Sequence, residues 1–95
     1  MVKGMVWGAV IFFKYRTMTD AEVNKAKKEW EDFKKALPRG VKIIAEYDHA
    51  HGTDWNGFLL VEARTMDAFQ EFWESFRDLT RWYVDRTQAI IGVKR

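Results

Sequence analysis

The spacing of hydrophobic positions changes repeatedly along this chain, and each change marks an element. From Met5 to Tyr15 the apolar residues Val6, Trp7, Val10, Ile11, Phe12 and Phe13 fall on both parities. That pattern predicts a strand covered on both faces. Thr19 followed by Glu22 has capping-box spacing and starts a helix. Val23, Ala26, Trp30, Phe33 and Leu37 then recur at three and four residues, with charged residues between them. Glu31 and Lys35 are spaced for an i, i+4 ion pair, and Pro38-Arg39-Gly40 closes the helix.

Gly40 to Arg64 reads as a hairpin, GVKIIAEYD and WNGFLLVEAR around the polar turn HAHGTD. Its first strand is mixed, with Lys42, Glu46 and Asp48 on one parity, which predicts an edge. Its second strand, through Phe58, Leu59, Leu60 and Val61, is apolar on both parities and reads as central. Thr65 caps a second helix, Met66 to about Thr80, with Met66, Phe69, Phe72, Trp73, Phe76 and Leu79 on one face. A last strand, Trp82–Val93, is broken by Asp85, Arg86 and Gln88 and reads as the other edge.

The order is β-α-β-β-α-β, the split βαβ of ferredoxin-like α+β folds. It predicts one four-stranded antiparallel sheet in the order 4-1-3-2, with both helices on one face. The first and third strands are then central, and they are the two that read as apolar on both sides. Two helices cover only one face, so the second apolar face needs a partner. A second copy, packed sheet to sheet about a two-fold axis, is the economical solution and gives a dimeric α/β barrel. The bland alternative is a monomer whose second face binds something else.

Composition narrows the functions. At 95 residues, with 47% hydrophobic and 32% charged residues, the chain fits one globular domain, 1–95. Aromatics make up 16%, more than one thin core absorbs, which favours a partner surface or a lined cavity. A net charge of +2 is not the footprint of a strong polyanion binder. The absence of cysteine excludes disulfides, thiol catalysis and Cys-based metal sites. The N-terminal run Met5–Phe13 is too short to cross a bilayer, and no small-residue cleavage site follows it. A cytoplasmic protein is expected, and few Asn and Gln beside many Lys and Glu would suit a thermophile.

The succession Gly40-Val-Lys-Ile-Ile, then Asn56-Gly-Phe-Leu-Leu-Val-Glu, then Trp73-Glu-Ser-Phe-Arg-Asp-Leu and Tyr83-Val-Asp resembles domain-of-unknown-function family 3303, small dimeric α/β-barrel proteins. The resemblance covers about the last sixty residues by motif and the first strand and helix by pattern. It implies the fold and dimerisation, not a reaction. In the family pattern a histidine follows an aromatic near the end of the second strand. Here Tyr47 is followed by Asp48, with His49 one place later. The wider superfamily includes monooxygenases, haem-degrading enzymes, lactone isomerases and effector-binding domains, and fold alone does not choose among them.

Candidate chemistry clusters at the hairpin turn. His49 and His51 at i, i+2 could share a metal with Asp48 or Asp54. One of them, beside Asp48, could instead act as a general base near neutral pH. The bland reading is a polar turn in which Gly52 and Asp54 are turn formers. No motif calls for a cofactor, and none is expected.

A second set consists of Glu46, Glu62, Asp85, Arg86 and Gln88, polar groups that would orient a ligand walled by Trp7, Tyr15, Tyr47, Trp55 and Trp82. Their bland reading is pairing at strand ends or across a dimer interface. Asn56-Gly57-Phe58-Leu59-Leu60-Val61 partly matches an RNA-recognition third strand but lacks the leading base and the second aromatic. Three functions follow as expectations. The first is homodimeric binding of a small apolar or aromatic ligand between two sheets. The second is a cofactor-independent monooxygenase or isomerase using a turn histidine. The third is an RNA-binding module, which the small net charge disfavours.

Overall fold

A computed structural model describes residues 5–95; the reading of the extreme N-terminus includes Met1–Gly4, which lie outside them. The elements are β1 (Trp7–Tyr15), α1 (Asp20–Lys35), β2 (Val41–Tyr47), β3 (Gly57–Ala63), α2 (Met66–Thr80) and β4 (Val84–Val93). The sheet order is β2-β3-β1-β4, with every neighbouring pair antiparallel. Read from the other edge, this is the expected 4-1-3-2. The last strand begins two residues later than its pattern predicts, because Trp82 and Tyr83 complete the turn out of α2.

Burial along β3 alternates strictly, with Gly57, Leu59, Val61 and Ala63 buried and Phe58, Leu60 and Glu62 half-buried. The register places Ala9 opposite Val61 and Ile11 opposite Leu59, and these join Phe69, Phe72 and Phe76 of α2 in the core. Trp30, Phe33 and Leu37 from α1 and its exit pack against that cluster. Both helices therefore lie on this face. The other face carries Val10, Phe12, Phe58, Leu60, Tyr47 and Ile90, with Tyr47 47% and Ile90 55% exposed. The slab is only 17 Å through its shortest extent, a sheet and one helix layer.

The local signals behave as their chemistry requires. Thr19 and Glu22 form the reciprocal capping box, and Thr65 accepts the N–H of Ala68 to open α2. One pairing differs from expectation. Glu31 bonds Lys34 at 3.0 Å rather than Lys35, because Lys34 is also drawn to Glu46 of β2 at 2.9 Å.

A second difference matters more. The β2–β3 register slips between Ile43 and Ala45, leaving Ile44 as a bulge that is 50% exposed. A one-residue insertion reverses which face each following side chain takes. Lys42 therefore lies opposite Glu62 on the open face, whereas Glu46 lies opposite Leu59 on the helix side. The common face read for Lys42 and Glu46 does not exist.

Gly57 has a steric task. A Cβ there would run into the Tyr47 carbonyl oxygen and the Phe13 ring edge. Relief would require both the β2–β3 ladder and the Phe13 ring to move, and overpacking of this kind typically costs about 1–3 kcal/mol. Gly57→Ala is expected to lower the urea unfolding free energy by about that amount; an unchanged midpoint would show that the strand pair and the ring yield without cost.

Candidate functional site

At the end of the sheet where β1 and β2 finish and β3 begins, α1 stands away from the strands. The gap is a cleft of about 470 Å³, within the roughly 300–1,000 Å³ usual for small-molecule pockets. Phe13, Leu59, Trp30, Phe76, Val23 and Ala26 supply apolar wall. Tyr15, Tyr83, Asp48, His49, Glu46 and Lys27 supply the polar atoms.

Each polar side chain is placed by an identifiable local device. The β1–β4 register slips between Lys14 and Tyr15, so Tyr15 leaves the regular ladder. Its N–H donates to the Asn56 side-chain carbonyl at 2.6 Å, while the Asn56 N–H donates to the Phe13 carbonyl at 2.9 Å. The Asn56 carbonyl also accepts the N–H of Ala50 at 2.9 Å and closes the hairpin loop. His49 takes a left-handed backbone, φ 56°, which turns the chain sharply just past β2. Asp48 and His49 are thereby brought to the cleft, and the Tyr15 hydroxyl donates to Asp48 at 3.4 Å, a long bond. Glu46, redirected by the bulge, accepts from the Trp30 indole N–H at 2.7 Å and from Lys34 at 2.9 Å.

Tyr83 is anchored by its backbone, its N–H donating to the Thr80 carbonyl and its carbonyl accepting from Arg16. Only 6% of it is exposed, and its hydroxyl has no hydrogen-bond partner among the described residues. Among the described residues no buried side-chain oxygen or nitrogen is left both enclosed and unbonded, so this hydroxyl opens on the cleft. Burial, then Glu29, pushes the Tyr83 phenol up to about 12. Burial, then the Asp48 carboxylate, pushes Tyr15 further above the ordinary value, and Tyr83 and Glu46 add to it. Both phenols are hydrogen-bond donors throughout the neutral range.

The residues singled out from sequence do not form one site. Glu46, Asp48 and His49 reach the cleft. Tyr47 turns to the open face and stacks on Phe58 at 4.7 Å. Trp55 also lies there, against Phe12 and under the Arg86 guanidinium, and Arg86 bonds Asp54. Glu62 pairs with Lys94. Trp7 takes the helix-side parity at the far end of β1, opposite Ala63. His51 is exposed on the loop and does not line the cleft. Asp54 is held by Lys14 at 2.9 Å and Arg86 at 3.2 Å, so it is not drawn towards the histidines. Among the described residues no three His, Asp or Glu come together as a set that could hold a metal.

Tyr83 and Trp30 were hidden from the sequence reading. Tyr83 sat inside an apparent strand and Trp30 in an ordinary helix stripe. A polar-tipped aromatic at the end of each of two neighbouring strands, Tyr15 and Tyr83, was the available signal.

No family model and no curated protein matches the chain. Solved structures do. A ferredoxin-like protein of the DABB family from Mesorhizobium loti is 18% identical, with a TM-score of 0.68 over 98% of this chain and 99% of its own. A dimeric ferredoxin-like protein of unknown function from Thermobifida fusca is 13% identical, with a TM-score of 0.64 over 99% and 95%. A putative chlorite dismutase superposes with a TM-score of 0.73 at 14% identity over 96% of this chain, which spans 43% of that longer one. At these identities the likeness is one of fold: the chain is ferredoxin-like.

Tyr83 gives a measurable consequence. Its phenol ionises near 10 in the unfolded chain and near 12 in the folded one, so between those values the folded state holds more protons. Stability linked to it is complete below pH 10 and is lost as pH rises towards 12, by an amount on the order of 2–3 kcal/mol. Tyr83→Phe removes that proton, so its urea midpoint is expected to fall less steeply above pH 10 than that of the parent. Parallel curves would place the hydroxyl in water.

Proposed function

We propose that this protein binds a small ring-containing molecule in the cleft between α1 and the sheet, as a cytoplasmic single-domain homodimer related to domain-of-unknown-function family 3303. The observation that carries the binding reading is the cleft itself. Aromatic and aliphatic walls converge on the Tyr15, Tyr83, Asp48 and His49 polar atoms at one end, which is how small-molecule sites fix orientation. On this reading the site lies on the helix side rather than between two sheets. Tyr47, Trp55, Glu62 and Arg86 occupy the sheet's other face and belong with self-association.

Two observations support a second copy on that face. The chain exposes 6726 Å², whereas a globular monomer of 11.3 kDa exposes about 5,700 Å². The excess is close to the roughly 800 Å² each partner buries in a standard interface. Of the cations on the face, Lys14 and Arg86 share Asp54 and Lys94 pairs with Glu62, while Lys42 has no ion-pair partner among the described residues. The apolar middle of the face, Val10, Phe12, Phe58 and Leu60, fits another sheet better than a nucleic-acid backbone. The dimers described for the Thermobifida fusca protein and a Bacteroides fragilis relative, TM-score 0.60 at 16% identity, point the same way.

A second reading, proton-transfer chemistry without a cofactor, is favoured by one fact: Asp48, His49 and Tyr15 line the same cleft. On that reading, turnover of a bound ring compound is lost in His49→Ala and kept in His51→Ala.

Sedimentation analysis is expected to give twice the chain mass, and Leu60→Lys, which sets a charge in the middle of the open face, to give a monomer. Calorimetry with 2-naphthol tests the cleft. Val23→Trp, which fills it from α1, is expected to weaken binding by about tenfold or more without lowering the thermal midpoint. Equal binding by the variant would place the ring elsewhere.

A further inference from the structure

The cleft combines aromatic walls with one carboxylate that no cation holds. Tyr15, Tyr83, Trp30, Phe13 and Phe76 line it, and aromatic faces attract cations through their ring quadrupole. The carboxylates at its polar end are Glu46 and Asp48. Glu46 is neutralised by Lys34 and bonded by the Trp30 indole. Asp48 has no cationic partner among the described residues and is met only by the long Tyr15 bond. The Tyr83 hydroxyl, on a side chain more than nine-tenths buried, faces the same space with its oxygen free to accept a hydrogen bond.

Two other titratable groups border the cleft. Lys27 is exposed on α1, and His49 is exposed on the loop. Burial is the main cause that raises both phenols, and carboxylates add to it, Asp48 above all at Tyr15 and Glu29 at Tyr83. Burial disfavours any charge, whereas the carboxylate contribution opposes an entering anion and favours a cation.

We infer that the cleft selects a small organic cation, an aromatic or arylalkyl ammonium, whose charged nitrogen sits between Asp48 and the Tyr83 hydroxyl while its ring lies among the aromatic walls. The inference rests on the cleft being the ligand site and adds the charge of what enters it. Asp48 is then the counter-charge and Tyr83 an acceptor for one ammonium N–H.

Three probes of matched shape test it by calorimetry at neutral pH and low salt: phenethylammonium, 2-phenylethanol and 3-phenylpropionate. The ammonium is expected to bind about tenfold or more tighter than the carboxylate, with the alcohol between them. Asp48→Asn, a change in an exposed loop, is expected to bring the ammonium and the alcohol within about threefold of each other. Tyr83→Phe is expected to weaken the ammonium more than the carboxylate. If the carboxylate binds as tightly as the ammonium, or if Asp48→Asn keeps the full preference, charge selection is wrong while the cleft reading stands. If none of the three binds, both are wrong.

Discussion

Two helices cannot cover both faces of a four-stranded sheet whose central strands are apolar on both sides. Everything else in this molecule follows from how that mismatch is resolved. On the helix side, Ala9, Ile11, Leu59, Val61 and Ala63 are closed over by Phe69, Phe72 and Phe76. On the other side, Val10, Phe12, Phe58 and Leu60 have aromatic and aliphatic neighbours within the sheet but no covering layer among the described residues. An apolar surface of this kind is held in water only at a cost, roughly 25 cal/mol for each Å². That cost is the physical reason behind the proposed association through this face.

The coverage on the helix side is itself incomplete at one end. α2 lays three phenylalanines across the sheet, whereas α1 meets it through Trp30, Phe33 and the small Ala26. Beside Ala26 the helix brings nothing large enough to fill the space above Phe13 and Leu59. The space is bordered instead by tyrosines, which carry an apolar ring and a polar tip. A core edge finished with Tyr15 and Tyr83 rather than phenylalanine remains packed while offering hydroxyls to whatever enters.

The fold was legible in the sequence because it depends on periodicity, which is a sum over many residues. Both-parity apolar runs at Trp7–Phe13 and Phe58–Val61 identified the central strands, and Thr19, Thr65 and Pro38-Arg39-Gly40 marked helix ends. The site was legible only in part, because its members depend on single-residue departures from periodicity. The Ile44 bulge sends Glu46 to the helix side and leaves Tyr47 on the other, so adjacent residues that read as one cluster serve opposite faces. Nothing in Ile43-Ile44-Ala45 announces a bulge, since β-branched residues fit a regular strand equally well. His49 and His51 were placed together by their spacing as strand residues. The left-handed turn at His49 ends that spacing and separates them.

The loop between β2 and β3 is where these two faces meet. Its first residues, Asp48 and His49, border the cleft, and its last, Asp54 and Trp55, lie on the open face against Lys14, Arg86 and Phe12. Asn56 ties the loop to β1 through both its backbone N–H and its side chain, and closes it on Ala50 through its carbonyl. A loop tied to the central strand at Asn56 and closed on itself at Ala50 has little freedom to move one half without the other. Asp48, which borders the cleft, and Asp54, which pairs with Lys14 and Arg86 on the open face, are therefore held by one nine-residue segment, and neither face can be reshaped in isolation from the other.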